Sequence, residues 1–270
     1  MPISEGLHKK SAVVTGGAGL LGKRFCEGLA RAGANVAVVD LDEKAAHASA
    51  KALASKYKIK CIGVACDVSS PASVRKMVGQ VVKTFGEIHI LHNNAASKSA
   101  DLGAFFAPFE DYSLEEWRKI MAVNVDGMFL VAQAVGRQMI KQKKGGSIIQ
   151  TASIYGIMAP DHRIYEGSFY LGRQNSSPAV YSASKSAVVA LTQYLAAYWA
   201  KHNIRVNTLT PGGIESGQND TFKKKYSDRV PLGRMAKADE MVGALIYLAS
   251  DASSYVTGHN LVVDGGLNAW

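Results

Sequence analysis

The chain has 270 residues, 47% of them hydrophobic, and a formal charge of +9. That is enough for one large core, and a single α/β domain of this length is ordinary. No apolar run reaches the roughly 18 residues of a transmembrane candidate, residues 1–10 lack the apolar core of a signal peptide, and the basic residues are scattered, which argues against membrane and nucleic-acid partners.

In chain order, short apolar runs alternate with amphipathic stretches. Strands are predicted at 11–15, 35–39, 60–65, 88–92, 147–151, 205–210 and 260–263, with crossover helices between them. This pattern predicts a doubly wound parallel sheet with helices on both faces. No linker, repeat or low-complexity tract interrupts it, so residues 1–270 read as one domain. Cys26, Cys61 and Cys66 are an odd number without metal-type spacing. They read as reduced thiols of a cytoplasmic protein with no bound metal.

The first strand runs into Thr15-Gly16-Gly17-Ala18-Gly19-Leu20-Leu21-Gly22, and a helix is predicted over 20–32. Glycines at a strand-to-helix turn let the backbone approach a pyrophosphate. The helix N-terminus adds free N–H groups and the positive end of its dipole. Asp40 closes the second strand, followed by Leu41-Asp42. An acid there can accept hydrogen bonds from an adenosine ribose and would repel a 2′-phosphate. With no Lys or Arg in 16–22, the expected cofactor is NAD rather than NADP. A tight turn without a ligand is the plainer alternative.

Asp67-Val68 and Asn93-Asn94-Ala95-Ala96 follow the third and fourth strands. Loops at the carboxyl ends of parallel strands are where such sheets bind ligands. Asp67 is expected near an adenine edge, and Asn94 under the pocket floor; either is also a plausible turn residue. Ser70-Pro71 predicts a helix start, and Ser113-Leu114-Glu115-Glu116 a capping box. Lys141-Gln142-Lys143-Lys144, before Gly145-Gly146, suits a helix C-terminus.

Residues 155–179 are rich in Gly, Ser, Pro and aromatics and lack periodicity. A loop of that length in a compact domain is unusual and often functional. Residues 180–202 read as a helix on which Tyr181 and Lys185 share a face, their Cβ atoms about 5–6 Å apart. A neighbouring ammonium favours phenolate over a phenol of reference pKa about 10, which makes the pair a usable proton-transfer group. A core tyrosine with a lysine at its edge is the plain alternative.

Taken together, these residues resemble a known family. The Gly turn, Asn93-Asn94-Ala95, Asn124, Ser153, Tyr181-x-x-x-Lys185, Pro211-Gly212 and Val263-Asp264-Gly265-Gly266 stand in order and spacing similar to a single-domain short-chain dehydrogenase/reductase. The resemblance implies a Rossmann-type sheet of seven strands, a nicotinamide cofactor, and the catalytic set Asn124, Ser153, Tyr181 and Lys185. In it, Tyr181 exchanges a proton with the substrate oxygen and Ser153 hydrogen-bonds the same oxygen. Lys185 biases Tyr181 toward phenolate and holds the nicotinamide ribose, and Asn124 positions a water. It assigns cofactor contacts to Gly16, Gly19, Leu20, Leu21, Gly22, Asp40, Leu41, Asp67, Val68 and Asn94. Ala95, Ala96, Tyr181, Lys185, Pro211, Gly212, Ile214 and Ser216 complete that set, with a lid at about 212–236. It also implies a homo-oligomer, a dimer or tetramer.

Three features depart from the family pattern. The spacing Gly16-x-x-Gly19-x-x-Gly22 is more typical of longer members, including sugar-nucleotide epimerases and dehydratases. An NAD-retaining epimerase or dehydratase is therefore the alternative function, although only 85 residues follow Lys185. Ala96 stands where Gly is usual. Finally, 28 positions separate Ser153 from Tyr181, about twice the common spacing. The extra segment resembles that of flagellin-modification or sugar-acid oxidoreductases, which implies a polar, sugar-like or sugar-acid-like alcohol or ketone as substrate. Ser153, Tyr155, His162, Arg163, Tyr165, Glu166 and Tyr181 are its expected contacts. Arg163 is expected to clamp a carboxylate; Lys223-Lys224-Lys225 is either a steering patch or a solvated helix face.

Overall fold

The computed structural model describes residues 7–99, 101–170 and 172–270. Its main sheet contains β1 (Ser11–Thr15), β2 (Asn35–Asp40), β3 (Cys61–Ala65), β4 (Ile90–Asn93) and β5 (Gly146–Thr151). A two-residue hairpin, β6 (Phe169–Tyr170) with β7 (Arg173–Gln174), lies in the segment after β5. The main sheet then closes with β8 (Ile204–Pro211) and β9 (Asn260–Val263). Its order is β3-β2-β1-β4-β5-β8-β9, with every pair parallel. This is the expected seven-stranded Rossmann-type fold, each predicted strand lying within two residues of the observed one.

The alternation of side chains across the pleat explains why the strands read as unbroken apolar runs. Val14, Val36 and Val38 face one core, where α1 (Leu20–Arg31), α2 (Glu43–Tyr57) and α9 (Val242–Ala249) pack. Val13, Ala37 and Val39 face the other, against α3 (Pro71–Phe85), α6 (Met128–Gln142) and α7 (Ala179–Trp199). Two short helices, α4 (Leu102–Phe105) and α5 (Leu114–Met121), precede α6, and α8 (Asp220–Ser227) follows β8.

The chemical boundary signals act as read, with one exception. Ser70 caps α3 by accepting from Ser73 N–H, with Pro71 in the first turn. Lys143 ends α6 in the left-handed conformation. Ser113 caps α5, but the reciprocal half of the capping box is absent: Glu116 turns inward, and its Oε1 has no hydrogen-bond partner. The helical run 114–142 is long and apolar enough to cross a membrane by length and composition, contrary to the sequence reading. Here Val131, Val135 and Met139 are buried against the sheet, as a core helix requires.

Gly63 sets the distance between α2 and the sheet. A Cβ at this position would run into the backbone of Ala46 and His47. Backbone cannot swing aside as a flexible side chain can, so Gly63→Ala should destabilise by about 2 kcal/mol, at the middle of the range for overpacked cores. Calorimetry should show Tm lower by roughly 4–8 °C; an unchanged Tm would mean that α2 does not bear on β3.

Candidate active site

The strand order reverses at β1, which has β2 on one side and β4 on the other. The loops leaving these strands diverge there and open a crevice, as in other doubly wound sheets. Thr15 joins its walls. Its hydroxyl accepts the N–H groups of Asn94 and Ala95, at 2.9 and 3.0 Å, and donates to Asn93 Oδ1 at 3.2 Å. Asn94 returns a bond from its amide to the Thr15 carbonyl at 3.1 Å, a backbone-bracing role.

The crevice has a volume of about 840 Å³. Gly16, Gly19, Leu20, Leu21 and Gly22 line one side, and Asp40, Leu41, Asp67 and Val68 the far end. Asn94, Ala95, Ala96 and Ser216 complete the wall. The Gly turn is built for close approach. Gly16 adopts φ +62°, and a Cβ at Gly22 would strike the Gly16 carbonyl. Side chains of Asp42, Ser70 and Asn219 cap α2, α3 and α8, whereas no side chain caps α1 and its first turn holds no acid. Leu20 and Leu41 stand 54% and 75% exposed at the rim. An open helix N-terminus beside a glycine cradle and apolar lips fits a dinucleotide.

Asp40 has two neighbours already. Its carboxylate accepts from Ala18 N–H at 2.9 Å and from Asp42 N–H at 3.2 Å. A carboxylate has about four acceptor sites, so capacity remains for ribose hydroxyls. Asp67 also serves its own turn, taking both the N–H and the hydroxyl of Ser69 on Oδ1.

A second cavity, of about 350 Å³, continues from the crevice and shares Leu21, Asn94, Ala96 and Ser216 with it. It brings together Ser153, Tyr155, Tyr181 and Lys185 with Pro211, Gly212 and Ile214. Ser153 opens the short helical turn after β5 as its N-cap, and α7 carries Tyr181 and Lys185 on one face as its period requires. Lys185 is 3% exposed, and its Nζ donates to the Thr151 carbonyl at 3.0 Å. That ammonium lies 6.0 Å from the centre of the Tyr181 ring.

Asn124 is fully buried in a π-helical turn, Ala122–Gly127, between α5 and α6. Such turns often occur at functional sites. Its Oδ1 accepts from Ser97 N–H at 2.9 Å, and its amide donates to the Ser184 hydroxyl at 3.2 Å. Ser184 in turn donates to the Tyr181 carbonyl. The Asn124 side chain therefore braces the loop after β4 against α7.

Burial works against charge at the centre of the site. It pushes the Tyr181 phenol above its ordinary value, an effect partly offset by the Ser153 hydroxyl. It lowers Lys185 to about 8. In the protein alone, desolvation favours the neutral form of each group and works against the expected drive toward phenolate.

The segment after Ser153 departs most from expectation. Arg163 is no clamp in this structure: its guanidinium makes two bonds to Asp161, at 2.9 and 2.8 Å, and its side chain is 83% exposed. Glu166 points to Lys225, 3.6 Å away. Neither lines the cavity. Tyr165 is buried beside Tyr155 and Ser177 and packs on Phe222 of α8, with ring centres 5.5 Å apart. His162 faces a separate pocket of about 730 Å³, which meets the site only through Tyr155. Lys225 donates to the carbonyls of Arg163 and Glu166, so it ties α8 to the inserted segment.

The sequence reading missed Lys98, Gln218, Phe222, Tyr226 and Met235 on the cavity wall. Tyr226 packs over Gly213, and its hydroxyl accepts that residue's N–H at 2.5 Å. Asn219-Asp220, a helix-start signature four and three residues before the lysine run, was the readable sign of this helix.

A family model described as Enoyl-(Acyl carrier protein) reductase matches residues 17–268. Sorbose reductase of Candida albicans is 36% identical over 265 residues, covering 96% of this chain and 87% of its own. D-threitol dehydrogenase of Mycolicibacterium smegmatis is 35% identical over 269 residues, covering 96% and 93%. The crystal structure of a short-chain type dehydrogenase/reductase from Mycobacterium marinum matches with a TM-score of 0.86 at 36% identity and covers 100% of both chains. With likeness along nearly its whole length in sequence and fold, this chain belongs to the short-chain dehydrogenase/reductase family and is an NAD(P)-dependent oxidoreductase acting on CH–OH groups.

Proposed function

We propose that the protein interconverts a secondary alcohol and a ketone on a polyhydroxylated, sugar-like substrate, with NAD as its cofactor. The observation that carries this reading is the continuity of the two spaces. The crevice lined by the Gly turn and Asp40 leads into a cavity that holds Ser153, Tyr181 and Lys185 together. The relatives named for sorbose and D-threitol support the substrate class. The relatives named as a reductase and a dehydrogenase favour net oxidation and reduction over epimerisation.

When bound, the nicotinamide supplies the hydride acceptor or donor. The residues of the chain manage the oxygen and its proton. Ser153 donates a hydrogen bond to the substrate oxygen and fixes its direction. Tyr181, as phenolate, takes the hydroxyl proton during oxidation; as phenol, it returns the proton to the carbonyl during reduction. Lys185, held by the Thr151 carbonyl, opposes the negative charge on that oxygen. Asn124 keeps the loop bearing Ser97 in register with α7. Pro211, Gly212, Ile214 and Ser216 form the roof over the nicotinamide end, with α8 above them.

The thiols of Cys26, Cys61 and Cys66 are free, in keeping with a reducing compartment such as the cytoplasm. Tyr194 and Tyr198 stack on the open face of α7 at 5.7 Å and are 63% and 57% exposed. A second copy of the chain is the proposed cover for this face. Light scattering after size exclusion should give a dimer or tetramer mass; a monomer mass at micromolar concentration would remove this part of the proposal.

Tyr181→Phe keeps the ring and removes the proton carrier. It should lower kcat for polyol oxidation by about 10²–10⁴-fold, the usual share of general acid–base catalysis, with little change in Tm. In the unsubstituted enzyme, oxidation needs the deprotonated phenol and should speed up as pH rises through the apparent pKa. Reduction needs the phenol and should slow over the same interval. Stopped-flow rates in both directions test this; parallel rather than mirrored pH limbs would exclude Tyr181 as the shared acid and base.

NADH should form faster than NADPH by at least about tenfold in kcat/KM, since a 2′-phosphate would meet the Asp40 carboxylate. Asp40→Asn keeps an acceptor for Ala18 N–H while removing the charge, and should narrow that ratio by about tenfold. An unaltered ratio in the variant would detach Asp40 from cofactor choice.

A further inference from the structure

We propose that Lys98 binds a carboxylate on the substrate, so that the preferred alcohols are sugar acids of the aldonate type rather than neutral polyols. This rests on the dehydrogenase reading above. The wall of the catalytic cavity contains no aspartate or glutamate among the described residues. Its ionisable cations are Lys185 and Lys98. The other polar side chains of the wall are hydroxyls, among them those of Ser153, Tyr155, Tyr181 and Ser216, and the amides of Asn94 and Gln218. Such a wall leaves a negative group uncontested and disfavours a positive one.

Of the two cations, Lys185 is committed to the Thr151 carbonyl. Lys98 is exposed and forms no ion pair among the described residues; its ammonium lies 5.2 Å from the centre of the Tyr170 ring. The neighbouring basic groups already have partners. Asp161 holds Arg163 and lies 3.5 Å from Arg229, carbonyls hold Lys225, and Glu240 holds Arg234. The backbone below Lys98 is fixed, since Ser97 N–H is bound by Asn124 and the Ser97 hydroxyl donates to the Lys98 carbonyl at 2.9 Å. Tyr170, on the hairpin of the inserted segment, reaches the same crevice and steers the lysine stem across its mouth.

Lys98 lines both the cofactor crevice and the catalytic cavity, and so belongs to the wall where they join. An anion there comes either from the substrate or from the cofactor pyrophosphate. The Gly turn and the open N-terminus of α1 already provide for the pyrophosphate, which leaves Lys98 for the substrate. A carboxylate held by Lys98 extends the molecule toward Ser153 and Tyr181, where its carbinol is oxidised.

The test compares D-gluconate and other aldonates with the matching neutral polyols, using NAD and the full-length enzyme, in the unsubstituted, Lys98→Gln and Lys98→Arg forms. The unsubstituted enzyme should favour aldonates in kcat/KM. Lys98→Gln should lower the aldonate-to-polyol ratio by about tenfold or more, through KM, as loss of a charge-assisted bond implies. Lys98→Arg should restore most of the ratio. A rise in the KM for NAD in place of that for aldonate would assign Lys98 to the pyrophosphate and overturn the proposal. Oxidation of polyols but of no aldonate would overturn it while leaving the dehydrogenase reading intact. If no compound in either class yields NADH, that reading fails and the proposal with it.

Discussion

The hydroxyl of Thr15 is the point on which the site depends. One oxygen engages Asn93, Asn94 and Ala95, and so ties the end of β1 to the loop after β4. The crevice exists because these two strands diverge in their connections, yet a crevice without a fixed floor would admit water and lose its shape. Asn94 adds the reverse bond to the Thr15 carbonyl. From this junction the wall is carried outward by Ser97, which Asn124 binds, and then by Ser184 to the backbone of Tyr181. A run of hydrogen-bonded side chains and loops thus connects the floor of the crevice to Tyr181. Only the Thr15–Asn93 bond joins two residues of the sheet; the other links come from the loops and helices beyond the strand ends.

The inserted segment and the stretch that follows β8 form one unit. Ile164 and Tyr165 from the first share a core with Phe222, Tyr226 and Val230 from the second. Lys225 holds two carbonyls of the inserted segment, and Arg229 lies 3.5 Å from Asp161. Exposed ion pairs are worth little individually, so the apolar cluster supplies most of the cohesion and the charges fix orientation. Because Tyr226 also binds Gly213, α8 is tied to the loop that follows β8. The length of the segment therefore makes sense as a support for α8, and its charged residues are spent on that support.

This explains what could and could not be read from the sequence. The seven strands were legible because burial on both faces demands continuous apolar runs, which few other structures need. The Tyr181–Lys185 face was legible because a helix repeats at a fixed period. The role of Arg163 was not: a free arginine and one paired two residues back with Asp161 differ only in local backbone shape, and residues 161–165 carry no periodic signal. Lys98 was passed over for the same reason. It lies in an aperiodic loop, and its place at the junction depends on Asn124 and Tyr170, which are far away in sequence. The half-formed capping box at Glu116 is similar, since local sequence favours the box while tertiary packing draws the side chain inward.

The protonation states at the centre follow from one balance. Burial makes a charge costly, and a hydrogen-bonded partner offsets only part of that cost. Lys185 has a single carbonyl partner, and burial lowers it to about 8. The same burial pushes the Tyr181 phenol up. Thr151 is held from the other side, as its hydroxyl meets His92 Nε2 at 2.8 Å. His92 is fully buried and shifted down to about 3, so it remains uncharged and adds no competing positive field. The carbonyl that receives Lys185 is therefore fixed in place without further charge behind it. The wall of the catalytic cavity, unlike the crevice with Asp40 and Asp67, carries cations and no carboxylate. Negative charge arriving on a bound oxygen there meets cations that have no carboxylate partner among the described residues. That polarity, more than any single hydrogen bond, is what the cavity wall offers to a reacting alcohol.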